Sequence, residues 1–170
     1  MTLLSLIPFH EITHLFTEFE HTAWRLETRH GYATDRDSPR WQRWKAGADI
    51  ANEPFDTWRT NVREQTALGK RFERVRLVDD PPTEGQRFLL ASGLGNVAAG
   101  EDIRHLTRAE AERLELPEFD FWLFDSRTLV KFVIDPEGAE TVARACQARD
   151  TAWHHAVPTG EFQARALSAH

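Results

Sequence analysis

The string His10-Glu-Ile-Thr-His14 places two imidazoles and a carboxylate at the spacing that binds zinc and activates water when it lies on an inward-facing helix. The neighbouring residues argue against that use. Ile12, Leu15, Phe16 and Phe19 form the apolar stripe of the same expected helix, over Pro8 to His21. At about 100° per residue, His10 and His14 then project almost opposite to the stripe, toward water. With no third ligand standing out downstream, the motif reads as a solvated helix face, and no metal is expected. His154 and His155 follow Trp153 at the end of an expected final helix, where imidazolium suits the negative end of the helix dipole. Gly93-Leu-Gly95 lacks the later glycine and the preceding strand of a dinucleotide fingerprint, and neither a nucleophile elbow nor a phosphate-binding loop occurs. These strings support no catalytic residue and no cofactor.

The remaining chemistry-bearing residues are charged groups on expected strands: Arg25, Glu27 and Arg29; Glu101, Asp102 and Arg104; Asp125 and Arg127. Large aromatics, Trp24 and Trp122, lie beside them in sequence. Carboxylates and guanidinium groups at strand ends build either a ligand pocket or a buried ion-pair network. Structural pairing is the commoner outcome, since a strand-borne charge first needs a partner. The residues expected to bind a ligand or partner are Arg25, Glu27, Arg29, Asp102, Arg104, Trp122, Asp125 and Arg127.

The elements that must position these groups follow from periodicity and turn chemistry. Ala23 to Arg29 alternates as a half-buried strand, with Trp24 and Leu26 on one face and Arg25 and Glu27 on the other. Ser38-Pro39 is an N-cap with proline at the first helical position, opening a helix that carries Trp41 and Trp44 and stops at Gly47. Tryptophans at that spacing are expected in the core. A second helix after Pro54 carries Phe55, Trp58, Val62 and Leu68, with Gly69 as its C-terminal cap. Arg71 to Val78 reads as a strand ended by Asp79-Asp80-Pro81-Pro82. A helix from Thr83 to about Leu94, its ends weakened by Gly85, Gly93 and Gly95, precedes a short strand over Gly100 to Leu106. Thr107-Arg-Ala-Glu110 is a capping box whose helix Pro117 ends. Phe119 to Asp125 and Leu129 to Ile134 are the strongest strands, joined in a hairpin by Ser126-Arg127-Thr128. Asp135-Pro-Glu-Gly138 leads into a last helix that ends near Trp153. The expectation is one α+β domain over residues 1–160, a mixed sheet of about five strands flanked by helices, with 161–170 as a frayed tail.

Composition sets the outer limits. A chain of 170 residues with 41% hydrophobic residues fits one core and stands far from the disordered range. Its net charge of −6 opposes indiscriminate binding to nucleic acid. The single cysteine, Cys146, permits no intrachain disulfide and reads as a packed thiol. The opening residues lack both a basic start and a spanning length, so the expected location is cytoplasmic, without membrane association.

His21-Thr-Ala-Trp-Arg-Leu-Glu-Thr-Arg29, Gly100-Glu-Asp-Ile-Arg104, Asp120-Phe-Trp-Leu-Phe-Asp-Ser-Arg127 and His154-His-Ala-Val-Pro158 together resemble the actinobacterial domain-of-unknown-function family 6879, over Leu15 to Phe162. The resemblance implies a regulatory or accessory role beside a helix-turn-helix regulator or a small acidic partner protein. A weaker, fold-level similarity links the segment from Arg71 to Ile134 to half of a phospholipase D-type domain. The string Glu118-Phe-Asp-Phe-Trp-Leu-Phe-Asp125 carries neither the histidine nor the lysine of that superfamily, which implies a degenerate, non-catalytic relative. The leading expectation is a non-catalytic binding module. The rival is a metal-assisted phosphoesterase or nucleotide-acting enzyme built on Asp102, Asp125 and an arginine clamp.

Overall fold

The computed structural model describes residues 9–31, 33–131 and 150–159. Cys146, most of the expected last helix, the end of the last expected strand and the expected tail lie outside these residues. The described chain forms α1 (Phe9–Ile12), α2 (Leu15–Glu18), β1 (Thr22–Glu27), α3 (Ala33–Arg36), α4 (Pro39–Lys45), α5 (Thr57–Ala67), β2 (Arg71–Val78), α6 (Glu84–Ala99), β3 (Asp102–Thr107), α7 (Arg108–Arg113), β4 (Phe121–Phe124), β5 (Thr128–Lys131) and β6 (Val157–Pro158). Residues 150–155 are helical and lead into β6.

Among the described residues, six strands make one mixed, open sheet in the order β5-β4-β1-β2-β3-β6. β1, β2 and β3 run parallel, with α3 to α5 crossing between the first two and α6 between the second two. β4 and β6 lie antiparallel to β1 and β3, and β5 closes the hairpin with β4. The expected α+β architecture with a mixed sheet holds. The addition is β6, too short for any periodicity to reveal.

Several local expectations need correction. The single amphipathic helix before β1 is broken at Thr13 and His14 into α1 and α2, although Phe16 and Phe19 are buried and His10 and His14 exposed, as the stripe required. α6 runs five residues beyond Leu94, with Gly93 and Gly95 inside it. The reason at Gly95 is steric. The fully buried Arg59 guanidinium packs there, donating to Ser92 O at 3.0 Å and through Nε to Asn96 Oδ1 at 3.0 Å, and a Cβ on Gly95 would stand 2.3 Å from Arg59 Nη2. The hairpin turns at Asp125 and Ser126, both at positive φ, rather than at residues 126–128, with Arg127 N–H returning to Phe124 O at 2.9 Å.

Of the expected caps, Ser38 and Thr107 hold, but the box expected at Thr107-Glu110 shows only its Thr107 half. Ser38, Asp56, Thr83 and Thr107 each accept a backbone N–H at the N-terminus of α4, α5, α6 and α7, and Thr83 with Gln86 completes a capping box. Trp41 is buried and packs at tilted angles against Trp44 and Phe88, pinning α4 onto α6 in a satellite core. No helix among the described residues is long and apolar enough to cross a membrane.

Candidate functional site

Strand alternation divides the sheet into two unlike faces. One carries Trp24, Leu26, Val75, Leu77, Leu106, Phe121 and Leu123, covered by α7 and by residue Ala152. The other begins with an aromatic layer of Ala23, Phe72, Trp122 and Phe124, under Phe16, Phe19 and Val62, and then becomes ionic. β1 is buried along its whole length, on both faces, rather than half-buried as its alternation suggested. The polar side of the alternation lies beneath helices instead of water.

The ionic layer follows from register. Trp122, Arg25, Arg74 and Ile103 lie in one row across β4, β1, β2 and β3, and Glu27, Arg76 and His105 in the next across β1, β2 and β3. Two arginines directly opposite on neighbouring strands repel each other. Glu27 resolves the conflict: its Oε1 accepts from Arg74 Nη1 at 2.7 Å and Arg25 Nε at 3.2 Å, and its Oε2 from Arg76 Nε at 2.6 Å. Arg74 Nε also donates to Glu101 Oε1 at 2.6 Å, and Arg25 Nη2 to Asp120 Oδ2 at 3.2 Å. Three guanidiniums thus meet three carboxylates, all on buried residues.

The surroundings fix each member. Trp58 in α5 donates its indole N–H to Glu101 Oε2 at 3.2 Å, and Arg74 lies over the rings of Trp58 and Trp122, at 5.9 and 5.5 Å. Arg76 Nη1 reaches Leu89 O of α6 at 2.8 Å. Asp120 Oδ1 takes both the backbone N–H and the hydroxyl of Thr28, at 2.7 and 2.6 Å. Burial pushes the Glu27 carboxyl up, but Arg74, Arg76 and Arg25 outweigh it and hold Glu27 far below the ordinary carboxylate range. His105 is lowered to about 3, first by burial and then by Arg76, so it is neutral in the core. Asp35, half-buried near the same carboxylate, is raised by burial and by Glu27.

Of the eight residues expected to bind a ligand or partner, the fold brings together Arg25, Glu27 and Trp122, with Arg25 at 5.4 Å over the Trp122 ring. Arg29 lies just past the end of β1, exposed. Asp102 and Arg104 occupy the opposite side of β3, where Arg104 stacks on Trp153 at 3.6 Å, donates to Trp153 O at 3.1 Å and pairs with Asp102 at 3.2 Å. Asp125 accepts backbone N–H groups of Glu20, His21 and Thr22 at 2.8, 2.7 and 3.0 Å, which fastens the hairpin to the entry of β1. Burial pushes its carboxyl up, but these N–H groups outweigh that and hold it below its ordinary range. Arg127 is exposed in the turn. Asp102 begins β3 and Asp125 follows β4, and β1 and β2 lie between those strands, so the carboxylate pair of the rival phosphoesterase reading is not assembled. Arg74, Arg76 and Asp120 were missed. Their signal was present: Arg74 and Arg76 alternate with Val75 and Leu77 as Arg25 and Glu27 do with Leu26.

The family model described as Domain of unknown function (DUF6879) matches residues 10–164. The chain belongs to that family. No curated protein and no solved structure matches it.

Proposed function

We propose that this member of the family is a non-catalytic regulatory or accessory binding module, acting in the cytoplasm with a helix-turn-helix regulator or a small acidic partner protein. The observation that carries the reading is the mutual saturation of the strand-borne charges. Glu27 spends both oxygens on three arginines, and Asp125 spends both on backbone N–H groups. Groups so engaged are poor metal ligands and poor bases, because each use would first break a charge-assisted bond. They make a rigid platform that presents surface residues such as Arg29, Arg104 and Arg127. The scaffold is read as a degenerate half of a phospholipase D-type domain, put to binding instead of phosphodiester cleavage.

Co-expression with a candidate helix-turn-helix regulator or a candidate small acidic protein from the same source, followed by size-exclusion chromatography, tests the reading. A stoichiometric complex is expected with one of them, weakened by Arg127→Ala at an unchanged melting temperature. Failure of both partners to co-elute with the folded protein would remove the proposal.

A further inference from the structure

The carboxyl ends of the parallel strands meet in a second polar cluster that the binding reading above does not use. β1 is followed by Thr28 to His30, β2 by Asp79, and β3 runs into Arg108 at the start of α7. Asp79 Oδ2 lies 2.5 Å from His30 Nδ1 and accepts from Gln86 Nε2 at 3.0 Å, while its Oδ1 accepts from Arg108 Nε at 2.9 Å. Burial pushes Asp79 up, but these three partners outweigh it and keep its carboxyl below the ordinary range. Arg108 is fixed further by Nη2, which donates to Thr28 O at 2.7 Å and lies 3.5 Å from His30 Nδ1.

This arrangement leaves one nitrogen of each neighbouring side chain unused. Neither His30 Nε2 nor Arg108 Nη1 has a hydrogen-bond partner among the described residues, and the two side chains are 66% and 26% exposed. The adjacent backbone is bare, since Gly31 and Gly85 meet so closely that a Cβ on Gly85 would lie 3.0 Å from Gly31 Cα. Thr83, the N-cap of α6, donates its hydroxyl to His30 O at 2.5 Å, which brings the positive end of a 16-residue helix to the same place.

We propose that His30 and Arg108 bind a phosphate-type oxyanion, with Asp79 as the residue that positions both. The carboxylate that might attract a cation is already taken by three donors, so the cluster offers a guanidinium N–H and, on the protonated ring, an imidazole N–H, and these call for an acceptor. A guanidinium N–H and an imidazole nitrogen suit the oxygens of a phosphate group, and a bound dianion favours the imidazolium, in which Nε2 donates as well. Ligands of open sheets with parallel strands commonly sit beyond the carboxyl ends of those strands.

The test is a titration of the full-length protein with inorganic phosphate and with a simple phosphate monoester, at constant ionic strength balanced with chloride, following the histidine ring resonances by NMR. Saturable displacement of the His30 ring signal is expected, weakened roughly tenfold or more by Arg108→Lys through loss of the guanidinium geometry. Arg127→Ala should leave it unchanged. Tighter binding of the monoester assigns the site to a larger phosphorylated ligand, and tighter binding of inorganic phosphate assigns it to the free ion. A His30 ring that does not respond, or that responds equally to chloride, overturns the proposal on the wild-type protein alone. An undiminished response in a folded Arg108→Lys variant overturns the assigned residues.

Discussion

The two faces of this sheet are built from the same strands, by alternate residues, and they stabilise the molecule by different physics. On the Trp24 and Leu26 face the contacts are apolar and non-directional, so stability follows area removed from water. In the ionic layer of the Arg25 and Glu27 face each ion pair has a donor, an acceptor and a required angle, and Glu27 is shared by three partners. A buried ion pair adds little net stability over a well-packed apolar substitute, yet loss of one partner strands the others. The apolar face therefore grades its response to change, and the ionic face fails as a unit. Together they fix strand register, because a one-residue slip would put guanidiniums among Trp24, Leu26 and Phe121.

The strongest way to break the comparison is Glu27→Gln, which leaves Arg25, Arg74 and Arg76 facing one another without their common carboxylate. The expected loss is about 3–5 kcal/mol in denaturant unfolding, larger than that of Leu26→Met, at under about 1.5 kcal/mol. Equal losses at the two positions would erase the distinction between the faces.

Acid sharpens it next. The folded His105 value of about 3 lies below its ordinary 6.5, so the unfolded chain binds more protons between those limits. Stability contributed by neutral His105 is complete above the unfolded value and falls as pH drops toward the folded one, by up to about 1.4 kcal/mol per pH unit. Chemical unfolding from pH 7 to pH 4.5 should show this slope, and His105→Asn should flatten it. The depressed Glu27 adds a second decline at lower pH, beginning below the unfolded carboxylate range.

A smaller effect isolates the helix layer above the ionic face. Gly95→Ala sets a methyl against the Arg59 guanidinium and should cost about 1–3 kcal/mol. Thermal unfolding of this variant alone and together with Arg59→Ala gives the coupling, and strictly additive losses would refute the steric account.

The smallest effects separate two surface arginines that look alike in sequence. Arg104→Ala removes the stack on Trp153 and should cost about 1 kcal/mol, while Arg127→Ala should stay within about 0.5 kcal/mol. A melting shift for Arg127 as large as that for Arg104 would contradict its exposed position.

Most of the fold was legible because its signals are local. Caps at Ser38 and Thr107, the bounds of β2 and the β4–β5 pair all rest on residues within a few positions of one another. What escaped was set across the sheet. Alternation shows that Arg25 and Glu27 share a face, but whether that face meets water depends on α5 and α6 crossing over it. The pairing of Glu27 with Arg74 and Arg76 spans nearly fifty residues and depends on parallel register. Asp102 and Asp125 look equivalent along the chain, yet β3, which holds Asp102, and β4, which Asp125 follows, have two strands between them in the sheet. Gly95 reads as a helix breaker until the arginine beside it is seen.

β6 has only two residues, and the second is proline. It pairs with β3 at Arg104 and His105, while Thr159 donates its hydroxyl to Ile103 O at 2.8 Å. Proline has no N–H to offer a further strand, so a newcomer meets a poor template at this margin of the sheet. A chain cut before residue 150 is expected to bare the β3 margin and to associate edge to edge, which sedimentation at rising concentration would report.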